Sequence, residues 1–229
     1  MLTSTPEYFF NHQLTIFQPE KGYRFSLDPV LLAGHVDIKG RETILDIGTG
    51  CGILMLMLLF KHPGITAIGV EIQQELADIA QKNLKINLFQ SRGKIVCRDI
   101  KKTKLSDIKH RPDIIVANPP YKKRNTGRIN PDPEKALARH EIAMTLEDLA
   151  YAVNRLLAPG GTSYIIYPAE RTAELVFMMQ SCCMSPVSLQ FVYTGKDRCA
   201  KLVMFKGIKQ TNAPLTILPP FYTDTLYRK

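Results

Sequence analysis

Apolar positions along this chain follow two periods, and the two alternate. Thr43-Ile44-Leu45-Asp46-Ile47, Thr66 to Val70, Lys94 to Cys97, Asp113 to Ala117 and Thr162 to Tyr167 are short runs rich in β-branched residues, which predict buried strands. Between them, Ile53 to Phe60 predicts a helix too apolar to lie anywhere but inside. Gln73 to Leu88 sets Leu76, Ile79, Ala80 and Leu84 on one face of an amphipathic helix, and Leu146 to Leu157 and Ala169 to Met179 predict further helices. Strands alternating with helices imply an α/β fold with a mostly parallel sheet. Near the C-terminus, Leu189 to Tyr193 and Cys199 to Phe205 flank Gly195-Lys196-Asp197, a hairpin signal that adds one antiparallel strand. Residues 1–22 show little periodicity, and Tyr8, Phe9, Phe10 and Phe17 are expected to cap the sheet or a ligand site. The tail from Thr211 is expected to lie over the domain. The pattern contains no repeat, coiled coil or second core. It predicts one domain over 1–229, with a cap at 1–42, a core at 43–210 and a tail at 211–229.

The strand ending at Ala117 runs into Asn118-Pro119-Pro120-Tyr121. Two prolines cannot donate to a sheet, and they disfavour helix before them, so the strand stops there in a stiff turn. Open α/β sheets place ligands at the carboxyl ends of central strands. An amide side chain, prolyl carbonyls and an aromatic ring suit a flat heterocycle with an exocyclic amine. The carbonyls accept its two N–H bonds while the ring stacks on its face. Upstream, Gly48-Thr49-Gly50-Cys51-Gly52 turns from strand to helix. A dinucleotide fingerprint needs its third glycine one position later, where Ile53 stands, so the turn suits a ligand without a pyrophosphate. Asp46 just before it repels phosphate and favours an ammonium group. Glu71, at the end of the second strand, can accept from both ribose hydroxyls. Asp28 before Pro29 reads equally as a helix cap or a cofactor contact. Asp99 reads as a turn aspartate or as an acceptor for an adenine amino group. His140 reads better as an interior histidine near a helix start than as a general base.

Charge narrows the partners. The chain has 229 residues, 45% hydrophobic and 22% charged, with a net charge of +9 and a pI near 9.3. A basic surface attracts phosphate backbones or anionic membranes. The longest apolar run, Ile53 to Phe60, is far shorter than a bilayer span, and the first 20 residues lack the basic start and apolar core of a signal peptide. Five cysteines without C-x-x-C spacing indicate reduced thiols in the cytoplasm and no metal site. Lys101, Lys102, Lys104, Lys109, His110 and Arg111 read as a solvated face as readily as a binding one. Lys122-Lys123-Arg124 adjoins the proposed base pocket and favours phosphate contact.

Taken together, these residues resemble the Rossmann-like, class I S-adenosylmethionine-dependent methyltransferases. Within them the chain is most similar to the N-P-P-Y amino methyltransferases that modify adenine N6 in bacterial valine tRNA. The likeness rests on Phe25-Ser26-Leu27-Asp28, Leu31-Leu32-Ala33, Leu45 to Gly52, Glu71, Asp99, Asn118 to Tyr121, Ala138-Arg139-His140-Glu141 and Pro159-Gly160-Gly161. It implies a sheet of about seven strands with S-adenosylmethionine as cofactor. It also implies that Asp46, Gly48, Thr49, Gly50, Cys51 and Gly52 hold the methionyl end, Glu71 the ribose and Asp99 the adenine, with Ile72 and Ile100 as further cofactor contacts. Asp28 would close over the site, although Pro29 stands where the family often has a smaller residue. Asn118, Pro119, Pro120 and Tyr121 would form the catalytic turn, with Asn118 also beside the cofactor, and tRNA would be the partner. Protein glutamine, DNA adenine and guanine N2 of ribosomal RNA remain alternative targets, and a non-catalytic binding subunit is a further reading. The intact turn argues against that last one, and the sequence shows no obligate protein partner.

Overall fold

The computed structural model describes residues 4–20, 26–119 and 144–224. Strands β1 (Ser4–Phe9) and β2 (Leu14–Pro19) pair only with each other. The other strands are β3 (Thr43–Ile47), β4 (Thr66–Glu71), β5 (Gly93–Cys97), β6 (Ile114–Ala117), β7 (Thr162–Pro168), β8 (Met184–Tyr193), β9 (Leu202–Lys209), β10 (Thr216–Ile217) and β11 (Phe221–Tyr222). They form a nine-stranded sheet in the order β10-β8-β9-β7-β6-β3-β4-β5, with β11 also on β8. Only β9 runs antiparallel to its neighbours, β7 and β8. The expected mostly parallel sheet with one antiparallel strand is therefore present, and β10 and β11 extend it.

Helices α1 (Asp28–His35), α2 (Ile53–Lys61) and α3 (Gln74–Ile86) cover one face. On the other lie α4 (Leu105–Ile108), α5 (Leu146–Leu156) and α6 (Thr172–Ser181). Neighbouring residues of β3 serve opposite layers: Ile44 packs with α1 and α2, Leu45 with α5, and both are fully buried. Burial on both faces is why the central strands read as unbroken apolar runs.

Several elements depart from the sequence expectations. The N-terminal stretch is a hairpin whose turn holds Phe10, Asn11 and His12 at φ of 52°, 53° and 66°. Its Leu14 and Ile16 are fully buried, so the segment belongs to the core and is more than an aromatic cap. β8 begins at Met184, before the expected Leu189, and passes Pro186 through a bulge at Pro186/Ser188, which accommodates the missing N–H. β9 starts only at Leu202, because Lys201 N–H returns to the Val192 carbonyl to close the connection. The tail contributes β10 and β11, parallel to β8. Asp28 is the first helical residue of α1 and Leu27 the N-cap, so the capping role expected of Asp28 is not what starts the helix. Among the described residues, no helix is long and apolar enough to cross a membrane.

Candidate active site

Strand order reverses at β3, which lies between β4 and β6. In sheets of this kind the crevice at such a reversal opens at the strands' carboxyl ends. Ile47 pairs with Ala117, so Gly48 and Asn118 leave the sheet side by side. A cleft forms there, lined by Asp46, Gly48, Thr49, Gly50, Cys51 and Asn118, with Pro29 of α1 and Ile53 and Leu54 of α2. Cys51 and Asn118, 67 residues apart in sequence, thus meet only through the sheet.

The glycine turn is held from below. Gly48 and Thr49 N–H both donate to the Val70 carbonyl, at 2.9 and 3.0 Å, and Gly50 N–H donates to Glu71 Oε2 at 2.9 Å. The other Glu71 oxygen accepts from Gln73 N–H at 2.9 Å. Thr49 Oγ1 donates to Asp46 Oδ2 at 2.6 Å. From α3, Asn83 Nδ2 donates to the Cys51 carbonyl at 2.8 Å. Gly48 sits at φ +69°, and a Cβ there would meet no atom within 4 Å, so it faces the open cleft. Gly52 adopts φ +89° as the N-cap of α2, a left-handed conformation that disfavours a side chain.

Asp46 and Glu71 are buried acids, 1% and 5% exposed. Burial pushes the Asp46 carboxyl up to about 7, against hydrogen bonds from Thr49 and the Met55 main chain, and the nearby Glu71 charge adds to the rise. Burial likewise raises Glu71, opposed by main-chain N–H groups of Gln73, Gly50 and Ile72. It pushes the Cys51 thiol up to about 12, which leaves Cys51 a packing residue without nucleophilic character. No lysine or arginine is among the described residues lining the cleft. Asp46 in the lining, with Glu71 directly behind the turn and no cation beside them, disfavours phosphate and accepts hydroxyls and ammonium groups. That chemistry, with the space over Gly48, fits S-adenosylmethionine.

The remaining predicted residues are placed unevenly. Asp99 Oδ1 accepts from Lys101 N–H at 2.9 Å as the cap of a short 3-10 turn, and its second oxygen lies 4.0 Å from Lys101 Nζ. Ile72, next to Glu71, is 41% exposed and is not among the residues lining the cleft. The Ile100 side chain is buried in the α5 layer and, like those of Glu71, Ile72 and Asp99, is not among the residues lining the cleft. Its carbonyl accepts from Arg155 at 2.7 Å. Asp28 is half-buried at the start of α1, next to the cleft-lining Pro29. Pro120, Tyr121, Lys122, Lys123, Arg124 and His140 lie outside the described residues. Asn83, which holds the turn from α3, has no motif that marks it in the sequence. Its only signal is a polar residue on the apolar side of the α3 pattern, beside Leu84.

Comparison with known proteins agrees with this architecture. The family model for the methyltransferase small domain matches residues 27–170. A tRNA1(Val) (adenine(37)-N6)-methyltransferase of Bacteroides fragilis is 30% identical over 208 residues, covering 89% of this chain and 85% of its own. One of the same name from Porphyromonas gingivalis is 34% identical over 169 residues, covering 71% and 66%. The fold is shared with a predicted O-methyltransferase from Agrobacterium tumefaciens, at TM-score 0.69, 19% identity and coverage of 86% and 87%. A putative RNA methyltransferase from Pyrococcus horikoshii superposes at TM-score 0.56, with 16% identity and coverage of 79% and 81%. With the glycine turn, Asp46 and Asn118 in one cleft, the chain belongs to the methyltransferase small domain family and is an S-adenosylmethionine-dependent methyltransferase.

Proposed function

We propose that this enzyme methylates N6 of an unpaired adenine in tRNA. The observation that carries the reading is the presence of Asn118 in the same cleft as Asp46 and the glycine turn, at the carboxyl end of a central strand. Relatives named as valine-tRNA adenine-N6 methyltransferases, and the net charge of +9, support the same substrate class.

When bound, S-adenosylmethionine supplies a methyl group activated by its sulfonium. Asp46 pairs with the ammonium of the methionyl end, and Glu71 accepts from the ribose. Asp99 would serve the adenine side, Ile72 would contact the cofactor next to Glu71, and Asp28 would close the cleft from α1. The aryl amine of adenine is a poor nucleophile, because its lone pair is delocalised into the ring. The Asn118 side-chain carbonyl and the Pro119 main-chain carbonyl accept its two N–H bonds, which favours a pyramidal nitrogen. The same acceptors stabilise the positive charge that grows on nitrogen, as preorganised dipoles do. The proton leaves to solvent afterwards, so no strong base is required. Pro120 stiffens the turn, Tyr121 stacks on the base, and Lys122, Lys123 and Arg124 contact phosphates. The base must be unpaired or flipped to enter, which suits a tRNA loop.

The test is methyl transfer to an unmodified valine tRNA transcript, followed by nucleoside digestion to locate N6-methyladenosine. Asn118→Ala should lower kcat and kcat/KM together, by on the order of a hundredfold, with cofactor affinity retained. Full activity in a folded Asn118→Ala variant overturns the mechanism. Label on protein glutamine, with none on RNA, overturns the substrate.

A further inference from the structure

The connection from β8 to β9 lies on the same edge of the sheet as Asn118. β8 and β7 are each antiparallel to β9, so both run in the direction of β6, and Tyr193 ends on the side where Ala117 ends. This flank also stands higher. Ala117 is level with Ile165, while β7 continues through Pro168, which pairs with Leu202 at the start of β9. Three further residues at roughly 3.3 Å each raise the base of the hairpin tip about 10 Å above the Asn118 turn. The tip is offset sideways by two to three strand spacings, about 10–14 Å.

The tip is anchored and basic. Lys201 N–H donates to the Val192 carbonyl at 2.8 Å, and the Lys201 carbonyl accepts from Ala169 N–H at 3.1 Å, which ties it to the exit of β7. Lys196, Arg198 and Lys201 are exposed, and none of them takes part in an ion pair among the described residues. Asp197 is the single acid between Thr194 and Lys201. At its foot, Tyr193 and Tyr222 lie with ring centroids 5.5 Å apart, and the Arg171 guanidinium, held by Glu174, sits 4.8 Å from the Tyr167 ring. Tyr167 itself is buried, whereas exposed cations next to the half-buried Tyr193 and Tyr222 rings match a single-stranded backbone with splayed bases.

We propose that Lys196, Arg198 and Lys201 form a raised phosphate-binding arm, which grips the RNA strand a few nucleotides from the base held at Asn118. The proposal rests on the RNA reading above, and it assigns the strand's path to the β8–β9 side of the site. Phosphate contacts of this kind fix register and carry no sequence information.

The experiment compares the Lys196→Ala/Arg198→Ala/Lys201→Ala variant with Lys39→Ala/Arg41→Ala/Lys61→Ala. The latter removes equal charge at the opposite end of the strands. Binding of an unmodified valine tRNA transcript is measured from 50 to 200 mM salt, together with steady-state methyl transfer. The hairpin variant should raise KM for tRNA on the order of tenfold and flatten the logarithmic salt slope by about two units. Its kcat at saturating tRNA and its affinity for S-adenosylmethionine should stay at wild-type values. Lys196→Arg/Lys201→Arg should behave as wild type, and the control triple should lose far less affinity. An unchanged slope in the hairpin variant, or equal losses in both triples, overturns the arm while leaving RNA methylation standing. A wild-type chain that neither binds nor methylates the transcript overturns both.

Discussion

Asp46 shows how one side chain couples the stability of this enzyme to its ligand. Its carboxyl titrates near 7 in the folded chain, well above its ordinary 3.8. The folded state therefore holds a proton that the unfolded state releases, and stability falls as pH rises from about 4 to about 7. Asp46→Asn keeps an acceptor for Thr49 Oγ1 and removes the buried charge. Its melting temperature should exceed that of the wild type by several degrees at pH 8, and the two should converge at pH 4. Pairing with an ammonium requires the ionised form, so wild-type affinity for S-adenosylmethionine should rise roughly tenfold from pH 6 to pH 8. In Asp46→Asn it should be weak and the Asp46-dependent rise should be absent. Calorimetry across that range, with thermal melts alongside, decides the point. A cost in the empty protein that is relieved by the ligand is a common feature of binding sites.

At the scale of elements, α3 joins the N-terminal hairpin to the glycine turn. Asn83 Oδ1 accepts from Phe17 N–H at 2.8 Å, and its Nδ2 donates to the carbonyls of Phe17 and Cys51. One turn on, Asn87 repeats the exchange with Thr15, at 3.0 and 2.7 Å. Two amides at i and i+4 thus stand in for a neighbouring strand along β2. Replacing Asn83 by Leu leaves buried main-chain groups of Phe17 and Cys51 without partners, which costs about 3 kcal/mol. The melting temperature should drop by roughly 6–12 °C. Cofactor affinity should drop as well, because the Cys51 carbonyl is released. Asn87→Leu should destabilise the hairpin while leaving cofactor affinity intact. Equal effects of the two variants on cofactor binding would remove Asn83 from the support of the turn.

Across the whole molecule, the charge of +9 and the sheet's long β8 flank define how it meets solvent and partners. β10 and β11 cover the outer edge of β8, where Leu218 N–H donates to the Leu189 carbonyl at 2.8 Å and Gln190 reaches the Pro219 carbonyl. An uncovered strand edge is a template for pairing with other chains. Removing residues 211–229 should therefore lower the melting temperature and produce concentration-dependent association in sedimentation, with S-adenosylmethionine affinity unchanged. A monomeric, equally stable truncation would show that the tail does not protect the edge.

The periodicities of β3 to β7, the glycine spacing and the proline-terminated strand were legible in the sequence because each is local. A strand buried on both faces must be apolar throughout, and Gly48 to Gly52 needs backbone freedom within five consecutive residues. Helices α2, α3 and α5 were legible for the same reason, with ends shifting by a residue or two. The hairpin at 4–19 was not, because its alternation is short and its burial depends on Asn83 and Asn87, more than 60 residues away. The Ile100 side chain could be assigned to the cleft or to the core from its neighbours alone, and only packing against α5 decided for the core. Tertiary structure likewise decided that Asp46 is buried near Glu71, and that β8 runs with β6 so that the connection carrying Lys196 and Arg198 leaves the sheet at the same edge as the Asn118 turn. Local spacing fixes which groups a turn can present, whereas burial, charge coupling and the neighbours across a sheet follow from contacts between segments distant along the chain.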